Sequence, residues 1–274
     1  MMKSAVSDTD CRLSVFVRNR YPLISYNLFN KLLRNRDVKV NGERVKSDLT
    51  IKKGDLVEVY CDITPVPVFE NGNVFIVYKP KGVASDGVRG MEGEVRERYP
   101  DYFLCHRLDT NTDGLLVFAK GAKAAEIMYG AFKYKYVKKY YMARLYGRAQ
   151  AAEYTDYLLK DGETGRVKVL SEPAKGAVKA VTAVRPVSYG EDETLAEISP
   201  LTGRTHQIRA QAAARGHFVL GDGKYGDDRV NKSKKIKNLC LTAYKLAFAF
   251  PAGHEYVELN AISVELSPEK IKLL

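Results

Sequence analysis

The first sixty residues carry an apolar pattern that predicts two short amphipathic helices followed by a small antiparallel sheet. Apolar side chains recur at helical spacing in two stretches. These positions are Leu13, Phe16, Val17, Leu28, Leu32 and Leu33. Val38-Lys39-Val40 then alternates and runs into Asn41-Gly42, a pair that favours a tight hairpin turn with positive φ, and residues 55–60 alternate again as a closing strand. The pattern predicts a compact domain over residues 12–62.

Beyond this domain, strand-like runs outnumber helix-like ones. Residues 63–69 are expected to form a linker, because Pro65 and Pro67 favour extended backbone. Strands are predicted at 74–78, 115–119, 140–146, 178–184, 195–198, 239–248 and 256–262, and helices at 120–132 and 205–215. This order predicts an α+β fold in which a second domain, residues 70–274, is built on a mostly antiparallel mixed sheet with flanking helices.

The charge balance indicates an anionic partner. The 274 residues include 44 Lys and Arg against 33 Asp and Glu, a formal net charge of +11. Residues 12–60 alone hold 11 basic and 5 acidic side chains. Three of the basic residues, Arg34, Arg36 and Lys39, cluster where the second helix meets the hairpin, so a phosphate backbone could lie there. A solvated helix face is the alternative, and it suits Lys52 and Lys53 better than this junction.

Cysteine usage and hydropathy exclude several classes of protein. The four cysteines include no Cys-x-x-Cys pair, which argues against a disulfide framework or a zinc site. Residues 1–10 contain no apolar h-region and no apolar stretch of the sequence reaches membrane-spanning length, so neither a secretory leader nor a membrane span is expected. A soluble, cytoplasmic protein that does not bind membranes is therefore expected. The protein is also expected to be a monomer.

Four separated segments carry candidate chemistry. Residues 106–120 place Asp109 on a polar turn ahead of a buried apolar run, although a lone Asp on a turn is more often a structural cap. The other segments are Tyr78-Lys79-Pro80-Lys81-Gly82, Lys139-Tyr140-Tyr141-Met142-Ala143, and residues 201–226 with Gly203-Arg204-Thr205-His206-Gln207-Ile208-Arg209. Together and in this order they resemble the RluA-type family of RNA pseudouridine synthases, over residues 70–262.

The N-terminal domain has a resemblance of its own. Val38-Lys39-Val40-Asn41-Gly42 and Lys52-Lys53-Gly54-Asp55 resemble the hairpin and the following strand of S4-like RNA-binding domains. This resemblance implies a small α/β RNA-binding domain in front of the pseudouridine synthase catalytic domain.

The family resemblance implies an isomerase with three catalytic residues. Asp109 matches the family's catalytic aspartate, and a carboxylate nucleophile beside the sugar suits the breaking of a glycosidic bond. Arg209 matches the arginine that pairs with it, since an ionised Asp in a dry pocket needs a partner charge. Tyr141 would stack on uracil and move a proton, on the strand face opposite Tyr140. The alternatives are a structural turn Asp, a surface Arg and a core Tyr.

Substrate-binding roles follow from the same segments. Arg107 is shaped to stack where the extruded base had been, Leu108 and Ile208 would form apolar walls around the base, and Lys139 belongs to a basic and aromatic stretch suited to folded RNA. His106, His206 and His217 lack metal-ligand spacing and are interpreted as hydrogen-bonding or packing residues. Neither a metal nor an organic cofactor is expected, because the isomerisation is redox-neutral.

Asp113 departs from the family pattern, which has Ser there, and is expected to cap the Asp109 turn from outside. The RNA substrate is expected to be ribosomal RNA, with transfer RNA as the alternative. The rival function is a catalytically silent RNA-binding protein that acts in ribosome assembly or translation stress.

Overall fold

A computed structural model of the chain describes residues 2–21, 23–24, 26–61, 65 and 67–271. The chain divides into two compact units, one comprising Met1–Val66 and Gly82–Tyr102 and the other comprising Pro67–Lys81 and Phe103–Leu274. The sequence-based linker, residues 63–69, lies partly outside the described residues, and its last three residues belong to a strand. The domain limits drawn from the sequence stay a prediction.

The first unit packs helices on a small antiparallel sheet. Its elements are β1 (Met2–Val6), β2 (Cys11–Arg12), α1 (Leu13–Arg20), α2 (Tyr26–Asn35), β3 (Val38–Val40), β4 (Glu43–Arg44), β5 (Thr50–Ile51), β6 (Leu56–Tyr60) and α3 (Met91–Arg98). The main sheet has the order β1-β6-β3-β4, and β2 pairs with β5. Asn41 and Gly42 both have positive φ, 51° and 83°, as the predicted hairpin turn requires. Leu13, Val17 and Phe29 are fully buried in the core between these elements.

The second unit is dominated by strands. They are β7 (Pro67–Glu70), β8 (Val74–Lys79), β9 (Tyr102–Leu104), β10 (Asp113–Lys120), β11 (Val137–Tyr146), β12 (Ala152–Lys160), β13 (Val167–Leu170), β14 (Val178–Tyr189), β15 (Glu193–Pro200), β16 (Leu241–Phe248) and β17 (Ser263–Glu265). The helices are α4 (Ala122–Lys133), α5 (Gln207–Ala214) and α6 (Asp228–Ser233), with 3₁₀ turns at Val257–Ala261 and Pro268–Lys270. None of the helices among the described residues is long and apolar enough to cross a membrane.

Among the described residues these strands form one 11-stranded sheet. Its order is β13-β12-β14-β15-β11-β16-β10-β8-β7, with β17 paired to β16 and β9 paired to β10. Most neighbours run antiparallel, whereas β10 and β16 run parallel. The predicted α+β class with a mostly antiparallel mixed sheet is therefore confirmed.

Gly114 allows the close contact between the two parallel strands. Its φ is 127°, and a Cβ atom there would lie 2.2 Å from the carbonyl oxygen of Ala243 on β16. A side chain at this position would push β10 away from β16. Because β10 begins at Asp113, the glycine fixes the point where the Asp109 turn enters the sheet.

The predicted strand at 256–262 is wrong. The residues form a 3₁₀ turn over Val257–Ala261 instead, and the strand β17 follows it. Tyr256 and Leu259 are buried at a spacing of three residues, which a 3₁₀ helix places on one side. The apolar residues were interpreted with the two-residue repeat of a strand. The segment is so short that it fits the three-residue repeat of a 3₁₀ helix as well.

Candidate active site

Asp109 lies on a tight turn that precedes β10. The amide of Thr112 donates to the carbonyl oxygen of Asp109 at 3.0 Å, which closes the turn. Lys79, with no exposed surface, donates from Nζ to the carbonyl oxygen of Thr110 at 3.1 Å. The turn is therefore held from inside the protein, while the Asp109 side chain keeps 26% of its surface exposed.

Arg209 on α5 connects Asp109 to a second carboxylate. Its Nη1 donates to Asp109 Oδ2 at 3.0 Å, and its Nε and Nη2 donate to the two oxygens of Asp222 at 2.7 and 2.8 Å. The Asp222 carboxylate also accepts the amides of Lys224 and Tyr225 at 2.8 and 3.2 Å. The guanidinium is thus clamped by a buried acceptor and directs its remaining arm at Asp109.

The charges of this cluster stabilise one another. Burial alone lowers the pKa of Arg209, but its hydrogen bonds and charge attraction to Asp222 and Asp109 raise that pKa overall. Burial raises the pKa of Asp222, but the hydrogen bonds and charge of Arg209, together with the amides of Lys224 and Tyr225, leave that pKa below its ordinary value. Arg209 is therefore a permanent cation beside Asp109.

Tyr141 lies on β11 with its side chain in the protein interior. Tyr141, Ala143 and Leu145 are buried on one face of the strand, whereas Tyr140 and Met142 are only partly buried and pack on the other side. Burial, with a smaller contribution from the charge of Asp109, raises the pKa of the Tyr141 phenol. The ring therefore faces the same interior region as Asp109, and its hydroxyl keeps its proton at neutral pH.

A second group points at Asp109 from the segment before α5. His206 has left-handed backbone angles, φ 52° and ψ 20°, and its Nε2 lies 4.0 Å from Asp109 Oδ2. Its Nδ1 is 2.9 Å from the Tyr225 hydroxyl, which also accepts the Val167 amide at 2.8 Å. Sequence reasoning interpreted His206 as a hydrogen-bonding or packing residue.

Asp222 and Tyr225 were not identified from the sequence. Gly221 positions them, because its φ is 76° and a Cβ atom would lie 1.9 Å from the Asn238 carbonyl oxygen. The run Gly221-Asp222-Gly223-Lys224-Tyr225-Gly226 was visible as a cluster. The signal that sequence reasoning missed is the charge of Arg209 itself. A buried arginine needs a permanent acidic partner in addition to the carboxylate that reacts.

Lys139 is a half-buried cation on β11, two residues before Tyr141. Burial, and then the charge of Lys135, lower the pKa of Lys139 to about 8. Its Nζ lies 3.8 Å from the place that a Cβ on Gly203 would occupy. The ammonium therefore stands beside the loop that leads into α5. It also helps burial to lower the pKa of His106 to about 3, so His106 is neutral.

The remaining predicted residues fall into two groups. Leu108 and Ile208 are each 7% exposed and neighbour Asp109 and Arg209 along the chain, whereas Arg107 is exposed. Arg34 and Arg36 are exposed and Lys39 is half-buried; all three belong to the first compact unit.

The expectation for Asp113 is wrong. Asp113 is buried at the start of β10, where it accepts the hydroxyls of Tyr78 and Thr242, both at 2.7 Å. Lys81 Nζ lies 3.8 Å away. The carboxylate points into the sheet because neighbouring strands supply donors there, so it does not cap the turn from outside.

The arrangement can hold one carboxylate ready for reaction. Arg209 and His206 both face Oδ2 of Asp109, and within the described residues Oδ1 receives no hydrogen bond. The same described part of the chain contains no group of three or more His, Cys, Asp or Glu residues arranged to hold a metal ion.

Comparison with known proteins identifies the family. The model of the RNA pseudouridylate synthase family matches residues 73–214. A ribosomal large subunit pseudouridine synthase C from Vibrio cholerae serotype O1 is 29% identical over 283 residues, covering 91% of this chain and 89% of the relative. The enzyme of the same description from Rickettsia bellii is 28% identical, covering 80% and 84%.

A solved structure gives the same result. The structure of human RNA Pseudouridylate Synthase Domain Containing 1 matches with a TM-score of 0.58 at 25% identity, covering 76% of this chain and 92% of the human one. The chain belongs to the RNA pseudouridylate synthase family and is an RluA-type RNA pseudouridine synthase, an isomerase.

Proposed function

We propose that this enzyme isomerises uridines of ribosomal RNA, with Asp109 as the nucleophile. The relatives from Vibrio cholerae and Rickettsia bellii are described as ribosomal large subunit enzymes, and each aligns over most of its length. The net charge of +11 suits a large polyanionic substrate. Transfer RNA is the alternative substrate.

The observation that carries the mechanism is that, within the described residues, Oδ1 of Asp109 receives no hydrogen bond, whereas Oδ2 binds Arg209. The reaction breaks the bond between N1 and C1′ of uridine and forms a bond between C5 and C1′; N1 gains a proton and C5 loses one. A carboxylate oxygen that attacks C1′ holds the sugar while the uracil turns. With Arg209 on Oδ2 at 3.0 Å, Oδ1 is the oxygen available for this attack.

Arg209 and Tyr141 complete the proposed catalytic set. Arg209 places a positive charge against Oδ2 of Asp109 and orients the carboxylate in a site that loses water when RNA binds. The Tyr141 ring offers a flat surface for the uracil, and its hydroxyl carries the proton that is exchanged. The buried position of Tyr141 supports both roles, since a stacking surface must be rigid.

Other residues are proposed to bind the RNA. Leu108 and Ile208 form apolar walls, and Arg107 is exposed where it could fill the space that the extruded base leaves. Lys139 is suited to a phosphate, because its ammonium has no acidic partner among the described residues and is costly to bury without one.

The first compact unit is proposed to be an S4-like RNA-binding domain. Arg34, Arg36 and Lys39 would contact the phosphate backbone there. Lys39 Nζ and the Arg44 guanidinium lie 5.1 and 5.9 Å from the centre of the Tyr60 ring, so this part of the unit combines positive charge with an aromatic surface. The expected cytoplasmic location stays a prediction.

The rival function, a silent RNA-binding factor, makes a different prediction for the site. A clamp for RNA has no need of a carboxylate that is held ready by a buried arginine. The test is incubation of the purified enzyme with unmodified transcripts of large-subunit ribosomal RNA and of transfer RNA, followed by chemical labelling of pseudouridine. Modification of the ribosomal transcript supports the proposal. Modification of transfer RNA alone, or of neither, overturns it.

A further inference from the structure

His206 has the geometry of a second donor to Asp109. Its Nε2 faces Oδ2, the oxygen that Arg209 already binds, from 4.0 Å. This distance exceeds a hydrogen bond, and catalytic hydrogen bonds are often long before substrate binds. Within the described residues nothing else accepts from Nε2, so this nitrogen is available for Asp109.

The network around His206 determines which ring nitrogen carries the proton. The Val167 amide can only donate, so the Tyr225 oxygen accepts from it at 2.8 Å. The oxygen could accept a second hydrogen bond, but within the described residues His206 Nδ1, at 2.9 Å, is the one acceptor for the hydroxyl hydrogen of Tyr225, so the hydroxyl donates to it. Nδ1 is thereby the acceptor nitrogen, and the proton of the neutral ring lies on Nε2, towards Asp109.

The electrostatic surroundings keep the ring neutral. Burial lowers the pKa of His206, and the charges of Arg209 and Lys224 act in the same direction, against the opposing effects of Asp109 and Asp222. A second cation beside Arg209 would be unfavourable. A neutral donor adds a hydrogen bond without adding repulsion.

Asp222 organises both donors. It holds Arg209 through two hydrogen bonds and holds the backbone amide of Tyr225, whose hydroxyl orients His206. The left-handed backbone of His206 directs the ring back from the start of α5 to the Asp109 turn. Asp222 therefore acts on Oδ2 of Asp109 in two ways, directly through Arg209 and indirectly through Tyr225 and His206.

We infer that His206 is a positioning residue of the isomerisation, whose Nε2–H holds Oδ2 of Asp109 so that Oδ1 faces the sugar. This inference rests on the proposed role of Asp109 as the nucleophile. It assigns to Tyr225 the task of fixing the tautomer of His206, and it gives the segment before α5 a part in the chemistry.

Two substitutions of His206 separate positioning from folding. A Gln side chain can place an amide N–H where Nε2 lies, whereas an Asn side chain reaches only as far as Nδ1 and keeps the bond to Tyr225. Asn also tolerates left-handed backbone better than Gln does. We expect His206→Gln to retain much more single-turnover activity than His206→Asn, by about tenfold or more, although His206→Asn should fold at least as well.

The matched control is His217, whose Nδ1 lies 3.0 Å from the Tyr146 carbonyl oxygen. His217→Gln and His217→Asn should give equal rates. Equal rates for the two His206 variants, or a faster His206→Asn, would overturn the inference. If His206→Gln folds poorly, Tyr225→Phe provides the second test. In the wild-type background it should lower the single-turnover rate severalfold. In the His206→Asn background it should not lower that rate further. Additive losses would show that the two residues act separately.

The wild type and Asp109→Asn are measured with the same ribosomal transcript. An inactive wild type would contradict the proposed function. An active wild type, an inactive Asp109→Asn and indistinguishable His206 variants would contradict the role of His206 alone.

Discussion

Removing Arg209 should destabilise the second unit in a pH-dependent way. In Arg209→Met, the Asp222 carboxylate, whose side chain has no exposed surface, loses two charged hydrogen bonds of 2.7 and 2.8 Å. Within the described residues it then keeps the hydrogen bonds from two backbone amides. An uncompensated buried charge of this kind costs about 3–5 kcal/mol of unfolding free energy. The same order of loss is expected here at neutral pH.

The pH dependence follows from Asp222. In the wild type Arg209 holds its pKa below the ordinary value, so the pair contributes stability above that value and loses it as pH falls. In Arg209→Met burial dominates and the folded pKa rises above the unfolded one. The variant then regains unfolding free energy relative to the wild type as pH falls, because a protonated Asp222 carries no charge. The difference from wild type should be largest near pH 7.5 and smaller near pH 4.5.

Urea unfolding followed by circular dichroism at both pH values measures these differences. The double variant Arg209→Met with Asp222→Asn should regain much of the lost stability, because the buried charge is gone, but it should regain no activity. Arg215→Met is the matched control, since the Arg215 side chain is 29% exposed in its pair with Asp156; its cost should be smaller, about 1 kcal/mol. A loss for Arg209→Met below about 1 kcal/mol, or one independent of pH, would refute the reasoning.

Three further predictions concern RNA. Tyr141→Phe should lose most of its single-turnover rate while it keeps RNA affinity, and Tyr140→Phe should be nearly silent; the reverse result would place the wrong tyrosine at the base. Lys139→Met should weaken RNA binding. Wild-type affinity should fall as pH rises through about 8, where Lys139 loses its proton, whereas the affinity of the variant should show no such fall. Equal pH profiles of the two proteins in filter binding would exclude the phosphate contact. Replacing Arg34, Arg36 and Lys39 by Gln should lower the salt dependence of binding by up to about three counterions; an unchanged salt slope would mean that this surface does not contact RNA.

The sequence allowed the α+β class and much of the strand content to be predicted because these depend on local periodicity. The fully buried run of β10 and the hairpin turn at Asn41-Gly42 are such cases. The strand β12 was missed because its apolar residues do not alternate along the sequence. An acidic residue, Asp156, occupies a buried position, and the apolar Tyr157 and Leu159 lie on the less buried face. The 3₁₀ turn at Val257–Ala261 was misinterpreted because a short apolar segment fits more than one period.

Contacts in the site between residues far apart in the chain were harder to predict than local structure. The contact between Asp109 and Arg209 was expected from the motifs, and it spans 100 positions in the chain. The clamp by Asp222 and the orientation of His206 by Tyr225 depend on how β13, α5 and the loop after α5 meet in space. Asp113 was placed incorrectly because its partners, Tyr78 and Thr242, lie on neighbouring strands of the sheet.

The role of Asp109 is tested most directly by one substitution that keeps the size of the side chain. Asp109→Asn should form no pseudouridine in a ribosomal RNA transcript under single-turnover conditions, and its RNA affinity should stay within about threefold of wild type. Asp113→Asn, which alters the other carboxylate of this segment, should retain measurable turnover. Pseudouridine formed by purified Asp109→Asn would contradict the nucleophilic role of Asp109 and with it the proposed mechanism.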